Sequence, residues 1–242
     1  MKRKDLRGKD KIRRVKVTPN FIEYSEGSCL MEQGKTKVIC TASIEEGVPS
    51  FLKDTGTGWI TAEYDMLPRS CLTRRRRERV KRQISGRTQE IQRLIGRSLR
   101  SVVNLKELGE KTIWIDTDVI QADGGTRCAS ITGSFIALGQ ALKKAKKDRI
   151  IDNMPLKEYM AAISVGIVEG DNLLDLSFEE DSKASVDMNI AMTSENKIVE
   201  IQSTVEEGEA LDISQLNDLI KLAEIGINKL IDIQKDILKI EK

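Results

Sequence analysis

Alternating and short apolar runs dominate the first stretch of the chain, and helical spacing enters later. Phe21–Tyr24, Ser28–Met31 and Lys37–Ala42 predict short strands, with Gly27 and Gly34 marking their turns. Trp59–Tyr64 predicts another, and Ile113, Ile115 and Thr117 alternate with Trp114 and Asp116 in a further one. Ile91, Leu94, Ile95, Leu99 and Val102 recur at helical spacing, as do Ile131, Phe135, Leu138 and Leu142. Gly133 and Gly139 imply close packing of the second of these helices. Asn153-Met154-Pro155 reads as a connector and a lobe boundary. Beyond it come an unbroken apolar strand, Ala161–Val168, and strands at 173–176, 188–192 and 197–201, the last two joined by a turn at 194–196. The tail predicts one long amphipathic helix, with Ser214 as N-cap and Leu216, Leu219, Ile220, Ala223, Ile227, Leu230 and Ile231 on its apolar face. Each half thus runs through several strands into a helix, a hint of internal duplication.

With 242 residues and 39% hydrophobic content, the chain can bury a core for one large domain or two lobes, here about 1–150 and 151–242. Net charge is only +2, but its distribution changes the picture. Residues 1–150 carry 32 basic and 18 acidic groups, and residues 151–242 carry 8 and 20. That asymmetry points to a polyanion on the first half, to head-to-tail subunit pairing, or to both. Residues 1–16 hold nine Lys/Arg and two Asp, a solvated arm or a contact for RNA or another subunit. Cys29, Cys40, Cys71 and Cys128 show no C-x-x-C spacing, so free thiols in a reducing cytoplasm are expected. No signal peptide or membrane-spanning run is legible. The chain contains no histidine, which removes histidine acid/base catalysis and histidine metal ligation.

Candidate chemistry gathers in three places. Asp116–Arg127 is an extended segment ending in Gly124-Gly125, followed by Thr126, Arg127 and the apolar helical pattern. Two glycines permit a sharp turn, and the free N–H groups of the helix start favour an anion. Thr126 adds a hydroxyl, and Arg127 a guanidinium fork suited to phosphate oxygens; the motif is either a phosphate seat or a tight strand-to-helix turn with a surface arginine. From Arg69 to Arg100 there are 12 Lys/Arg against Glu78 and Glu90, with Arg74–Arg77 at the head. So one-sided an excess favours nucleic acid over a merely solvated face. Few aromatics interleave, so backbone phosphate contacts are expected to outweigh base stacking. Asp181 and Asp187 lie six apart, able to face one way if the segment is extended. They are either a polar loop or a seat for Mg²⁺, which takes one or two protein carboxylates and keeps sites for phosphate and water.

Taken together, Gly86–Arg100, Asp118–Arg127, Gly58–Tyr64, Met66–Arg69 and Val186–Asn189 resemble, in order and over nearly the whole chain, the motifs of the ribonuclease PH family. The resemblance implies an α+β fold of two similar lobes of mixed β-sheet with packed helices. It implies a phosphorolytic 3′→5′ exoribonuclease acting on the 3′ end of tRNA precursors, in which inorganic phosphate attacks and a nucleoside diphosphate leaves. Carried onto this chain, Arg87, Gly125, Thr126 and Arg127 would hold the phosphate. Asp181 and Asp187 would be the acidic pair tied to Mg²⁺ and catalysis, and Arg69, Arg74 and Arg77 would face RNA and a neighbouring subunit. The implied assembly is a homohexameric ring, a trimer of dimers. Cys71-Leu72, Ser203 and Asp65 depart from the family pattern. The competing readings are a non-catalytic RNA-binding ring subunit of an exosome-like complex, and a hydrolytic metal nuclease.

Overall fold

The computed structural model describes residues 3–78, 84–206 and 210–240. Nine strands and five helices follow one another along these residues. The first sheet comprises β1 (Val15–Pro19), β2 (Gly27–Gln33), β3 (Thr36–Glu46), β4 (Trp59–Met66) and β5 (Lys111–Gln121). Its spatial order is β1-β2-β3-β5-β4, antiparallel except for the parallel β4–β5 pair. A parallel pair cannot be closed by a hairpin. The connection runs through α1 (Gly86–Ser101) and the short α2 (Leu105–Leu108). The second sheet, β6 (Met160–Val168), β7 (Asp171–Leu174), β8 (Ala184–Thr193) and β9 (Ile198–Val205), has order β7-β6-β8-β9 and is antiparallel throughout. A single turn of helix, α4 (Phe178–Asp181), precedes β8, and α5 (Ile213–Leu238) closes the chain.

Helix α3 (Thr126–Lys147) lies between the sheets, packed on β2, β3 and β5 on one side and on β6 and β8 on the other. The four apolar residues visible in the sequence are only one stripe of it. Cys128, Ala129, Ser130, Thr132, Gly133, Ser134, Ile136, Ala137 and Ala141 are buried too, because a helix covered on every side needs small residues all round. Thr132 shows how one polar member is satisfied: its hydroxyl donates to the carbonyl of Ala162 and accepts from the same residue's N–H. Gly133 meets Cys40 and Met31, and Gly139 meets Leu238 of α5. Gly27 is not a turn residue but the first residue of β2, pressed against α3. A Cβ there would lie 2.0 Å from the carbonyl oxygen of Ala137 and 2.7 Å from the nitrogen of Ala141. Gly27→Ala is therefore expected to destabilise the fold by ~3 kcal/mol, the upper end of overpacking costs. Thermal unfolding should register this as a fall of roughly 6–12 °C.

Several local expectations are corrected. Phe21–Tyr24 is a set of bends and turns, with Tyr24 fully outside the sheet; the edge strand is Val15–Pro19 instead. Asp212, not Ser214, caps α5, accepting from the N–H of Gln215 at 2.7 Å while the Gln215 side chain accepts from the Asp212 N–H. The basic arm is solvated only in part: Lys4, Lys9, Lys11, Arg14 and Lys16 are exposed, but three of its arginines turn inward. Arg3 is 2% exposed and grips Glu180 through both ends of its guanidinium at 2.8 and 2.7 Å. Arg7 donates to the carbonyl of Asp175, and Arg13 is buried against the Asp175 carboxylate. Part of the charge asymmetry is thus cancelled inside the chain, with first-lobe arginines neutralising second-lobe carboxylates.

Candidate active site

Both expected phosphate arginines stand one residue inside a helix start. Arg87 is the second residue of α1 and Arg127 the second residue of α3. The start of α1 is fixed by Ser85, which accepts from the N–H of Thr88, and by Glu78, which accepts from the Thr88 hydroxyl at 2.9 Å and the Ser85 N–H at 3.0 Å. The start of α3 has no side-chain cap; Gly125 precedes it with φ 64, after Gly124 with φ 74. Successive left-handed residues suit glycine, which has no Cβ to clash. The Thr126 hydroxyl takes the phenol proton of Tyr64 at 3.2 Å.

Arg87, Gly124, Gly125, Thr126, Arg127, Asp181 and Asp187 line one cavity of about 280 Å³. A second cavity of about 500 Å³, reaching Lys183, Thr204 and Glu206, shares Arg87, Arg127, Asp181 and Asp187 as its wall. Expected anion-binding and acidic residues therefore meet where two openings adjoin. Asp181 and Asp187 do so by a route the sequence did not suggest. The intervening segment is not extended: Asp181 ends α4, and Asp187 lies in β8 after a turn.

Charge is poised rather than balanced here. Burial, the positive charge of Arg127 and that of Arg75 together hold the Arg87 guanidinium below its ordinary value. Arg127 touches Glu90 only loosely, at 3.4 Å, and Glu90 also receives Gln202 at 2.8 Å. The buried Nε of Arg127 has no acceptor. A buried charged donor without a partner is costly unless an incoming group completes it. On the acidic side, burial and the charge of Asp181 push Asp187 up to about 6, against the pull of Arg127 and an Asn189 amide at 3.4 Å. Burial raises Asp181 as well, opposed by Arg127 and Arg87.

These residues fit the implied Mg²⁺. Two carboxylates, Asp181 and Asp187, share the cavity with the two arginines. A cation that keeps waters and takes phosphate oxygens suits such a sparse oxygen set.

The expected RNA-facing arginines lie elsewhere. Arg69 and Arg74 are exposed and, with Arg77, line neither of these two cavities. Arg75, from the same run, lines the first of them beside Met66 and Cys71. Arg97 is paired with Glu200 at 2.7 Å, and Arg100 lies over the Trp59 ring while donating to the Ile60 carbonyl. Those two were counted toward an RNA face and instead join elements of the fold. Arg79, Lys81 and Arg82 lie outside the described residues. Asn189 was missed although strand periodicity places it on the same side of β8 as Asp187. Ser164 was missed as well; it lies in the core of β6 and carries no sequence signal for a site.

Two lobes folded around a shared helix, with two helix-start arginines and a carboxylate pair on one cavity, define a two-lobed α+β protein. The chain belongs to the 3′ exoribonuclease family: residues 11–143 match the model of the family's domain 1 and residues 158–226 that of its domain 2. It is 54% identical over 238 residues, 98% of this chain and 99% of the relative, to the ribonuclease PH of Syntrophomonas wolfei. In fold it is similar to rice Rrp46, with TM-score 0.79, 18% identity and coverage of 98% of this chain and 100% of that one. An Archaeoglobus fulgidus exosome with RNA bound to the active site also matches, at TM-score 0.79, 24% identity, and 96% and 92% coverage.

Proposed function

We propose that this protein is a phosphorolytic 3′→5′ exoribonuclease that trims the 3′ ends of tRNA precursors. The observation that carries this reading is the convergence of Arg87, the glycine turn and Arg127 with Asp181 and Asp187 on one cavity. Its family and its 54% identical relative support the same reading.

Inorganic phosphate is already an anionic nucleophile, so a chain with no histidine lacks nothing essential. What the reaction needs is an anion held beside a second anion. Arg87, Arg127, the Thr126 hydroxyl and the N–H groups at the α3 start hold the attacking phosphate. Its oxygen forms a bond to the terminal phosphorus, the bond from that phosphorus to the 3′ oxygen of the preceding nucleotide breaks, and a nucleoside diphosphate departs. The freed 3′ oxygen takes a proton; in this reading Asp187, whose proton affinity burial and Asp181 raise in the metal-free protein, is its source unless it serves with Asp181 as a metal ligand instead. Asp181 and Asp187 would hold Mg²⁺, which when bound neutralises phosphate charge. Because a phosphodiester is exchanged for a phosphoanhydride, the reaction is expected to run readily in reverse.

Arg69, Arg74 and Arg77 are assigned to the RNA backbone and a neighbouring subunit, in a homohexameric ring working in the cytoplasm. Among the described residues no helix is long and apolar enough to cross a membrane. A 3′-tailed RNA incubated with protein and Mg²⁺ should shorten only when phosphate is added, releasing nucleoside diphosphates. Monophosphate products would indicate hydrolysis, and no shortening under any condition would indicate a ring scaffold.

A further inference from the structure

We infer that Arg13, Asp175 and Thr36 form a clamp behind the glycine turn, and that Arg13 and Thr36 are positioning residues for the attacking phosphate. This rests on the phosphorolytic reading of the cavity and adds residues that lie outside it. Arg13 comes from the amino-terminal arm, Thr36 from the start of β3, and Asp175 from the second lobe just after β7. None of them lines the cavity.

Their contacts converge on the turn. One terminal nitrogen of Arg13 donates to the carbonyl of Asp123 and the other reaches that of Gly124 at 3.5 Å. The Thr36 hydroxyl donates to the same Gly124 carbonyl at 2.7 Å and accepts from the Asp123 N–H at 2.9 Å. Arg13 is held in turn by Asp175, which receives its backbone N–H at 2.6 Å, its Nε at 3.1 Å and a terminal nitrogen at 2.7 Å. Gln33 completes that carboxylate at 2.8 Å. Asp175 is wholly buried and Arg13 is 5% exposed, so water does not compete for these bonds.

Peptide planarity turns this anchoring into aim. In a trans peptide the carbonyl oxygen and the following N–H point in opposite directions, and no peptide here is cis among the described residues. Pinning the carbonyls of Asp123 and Gly124 from behind therefore turns the N–H groups of Gly124 and Gly125 the other way, toward the cavity those glycines line. Two consecutive glycines would otherwise sample many conformations. The clamp fixes the one that presents donors to an anion.

Thr36→Val is nearly isosteric and removes both hydroxyl contacts, and Thr36→Ser keeps them. Binding of inorganic phosphate, measured by calorimetry without RNA, should weaken about tenfold in Thr36→Val and return to within about threefold of wild type in Thr36→Ser, a tenfold change corresponding to about 1.4 kcal/mol. The KM for phosphate should rise in step, while RNA affinity in phosphate-free buffer stays within about twofold. Arg13→Met should show the same split more strongly if it folds. Unchanged phosphate affinity in a folded Thr36→Val protein would overturn the clamp, as would equal losses of phosphate and RNA binding. Because the calorimetry needs no turnover, a wild-type protein that bound phosphate but cleaved without it would reject phosphorolysis and leave the clamp standing.

Discussion

Replacing Asp187 with Asn should cut turnover by about 10²–10⁴-fold, the usual worth of a positioned acid or base, while leaving the fold as stable as before or more so at neutral pH. The two halves of that expectation come from one cause. Burial and the neighbouring Asp181 raise Asp187 from 3.8 to about 6. The folded protein therefore holds this proton more tightly than the unfolded chain does. Its charged form is disfavoured in the fold, and the resulting stability cost grows as pH rises from about 4 to about 6, then stays constant above that. Asparagine carries no charge and escapes that cost. Urea unfolding of both proteins without Mg²⁺ at pH 4, 5, 6 and 7 checks the sign: the variant should gain on the wild type across that window. A variant that is inactive and also much less stable at pH 7 would mean that Asp187 is a structural residue.

The sequence exposed this site unevenly, for physical reasons. Gly124-Gly125-Thr126-Arg127 is contiguous, and a turn into a helix start has a local chemical signature. The Arg87 region was legible through the helical spacing of the residues after it. Asp181 and Asp187 were found by composition and resemblance, but the assumed extended strand was wrong. Ser177 and Glu180 form a capping box that nucleates α4, so a turn of helix carries Asp181 into place. The amino-terminal arm was least legible. Nine basic residues in sixteen look like a solvent-facing tail, and nothing local reveals that Glu180 and Asp175 wait more than 160 residues away to bury three of them. Asp212 was passed over as a cap because the apolar stripe begins later, at Leu216. Periodicity marks where a helix packs, whereas its start is set by hydrogen bonding.

Arg127→Met should lower kcat/KM for phosphate by about 10²–10³-fold, the loss seen when one preorganised donor to developing charge is removed. RNA binding in phosphate-free buffer should change little on the proposal that Arg69, Arg74 and Arg77, which do not line this cavity, carry it. Lysine at the same position should not restore activity. It brings a point charge but no planar fork, and it cannot replace the buried Nε that lacks an acceptor. The sharper consequence is thermodynamic. Arg87 and Arg127 line the same cavity, and after burial the positive charge of Arg127 is what most lowers the proton affinity of Arg87. An oxyanion between them offsets that charge, so phosphate or sulfate should stabilise the wild-type fold as a ligand does, by about 2.7 kcal/mol at a hundred times its dissociation constant. For a chain of this length that corresponds to a rise in Tm of roughly 5–10 °C. Chloride at matched ionic strength screens the same charges without bridging them, so it should give only a small part of the rise. In Arg127→Met the phosphate-specific rise should vanish, since the remaining guanidinium has no like-charged neighbour at that position to be reconciled with. If the variant keeps the full rise, the anion sits elsewhere, and the attacking phosphate cannot be placed between these two helix starts.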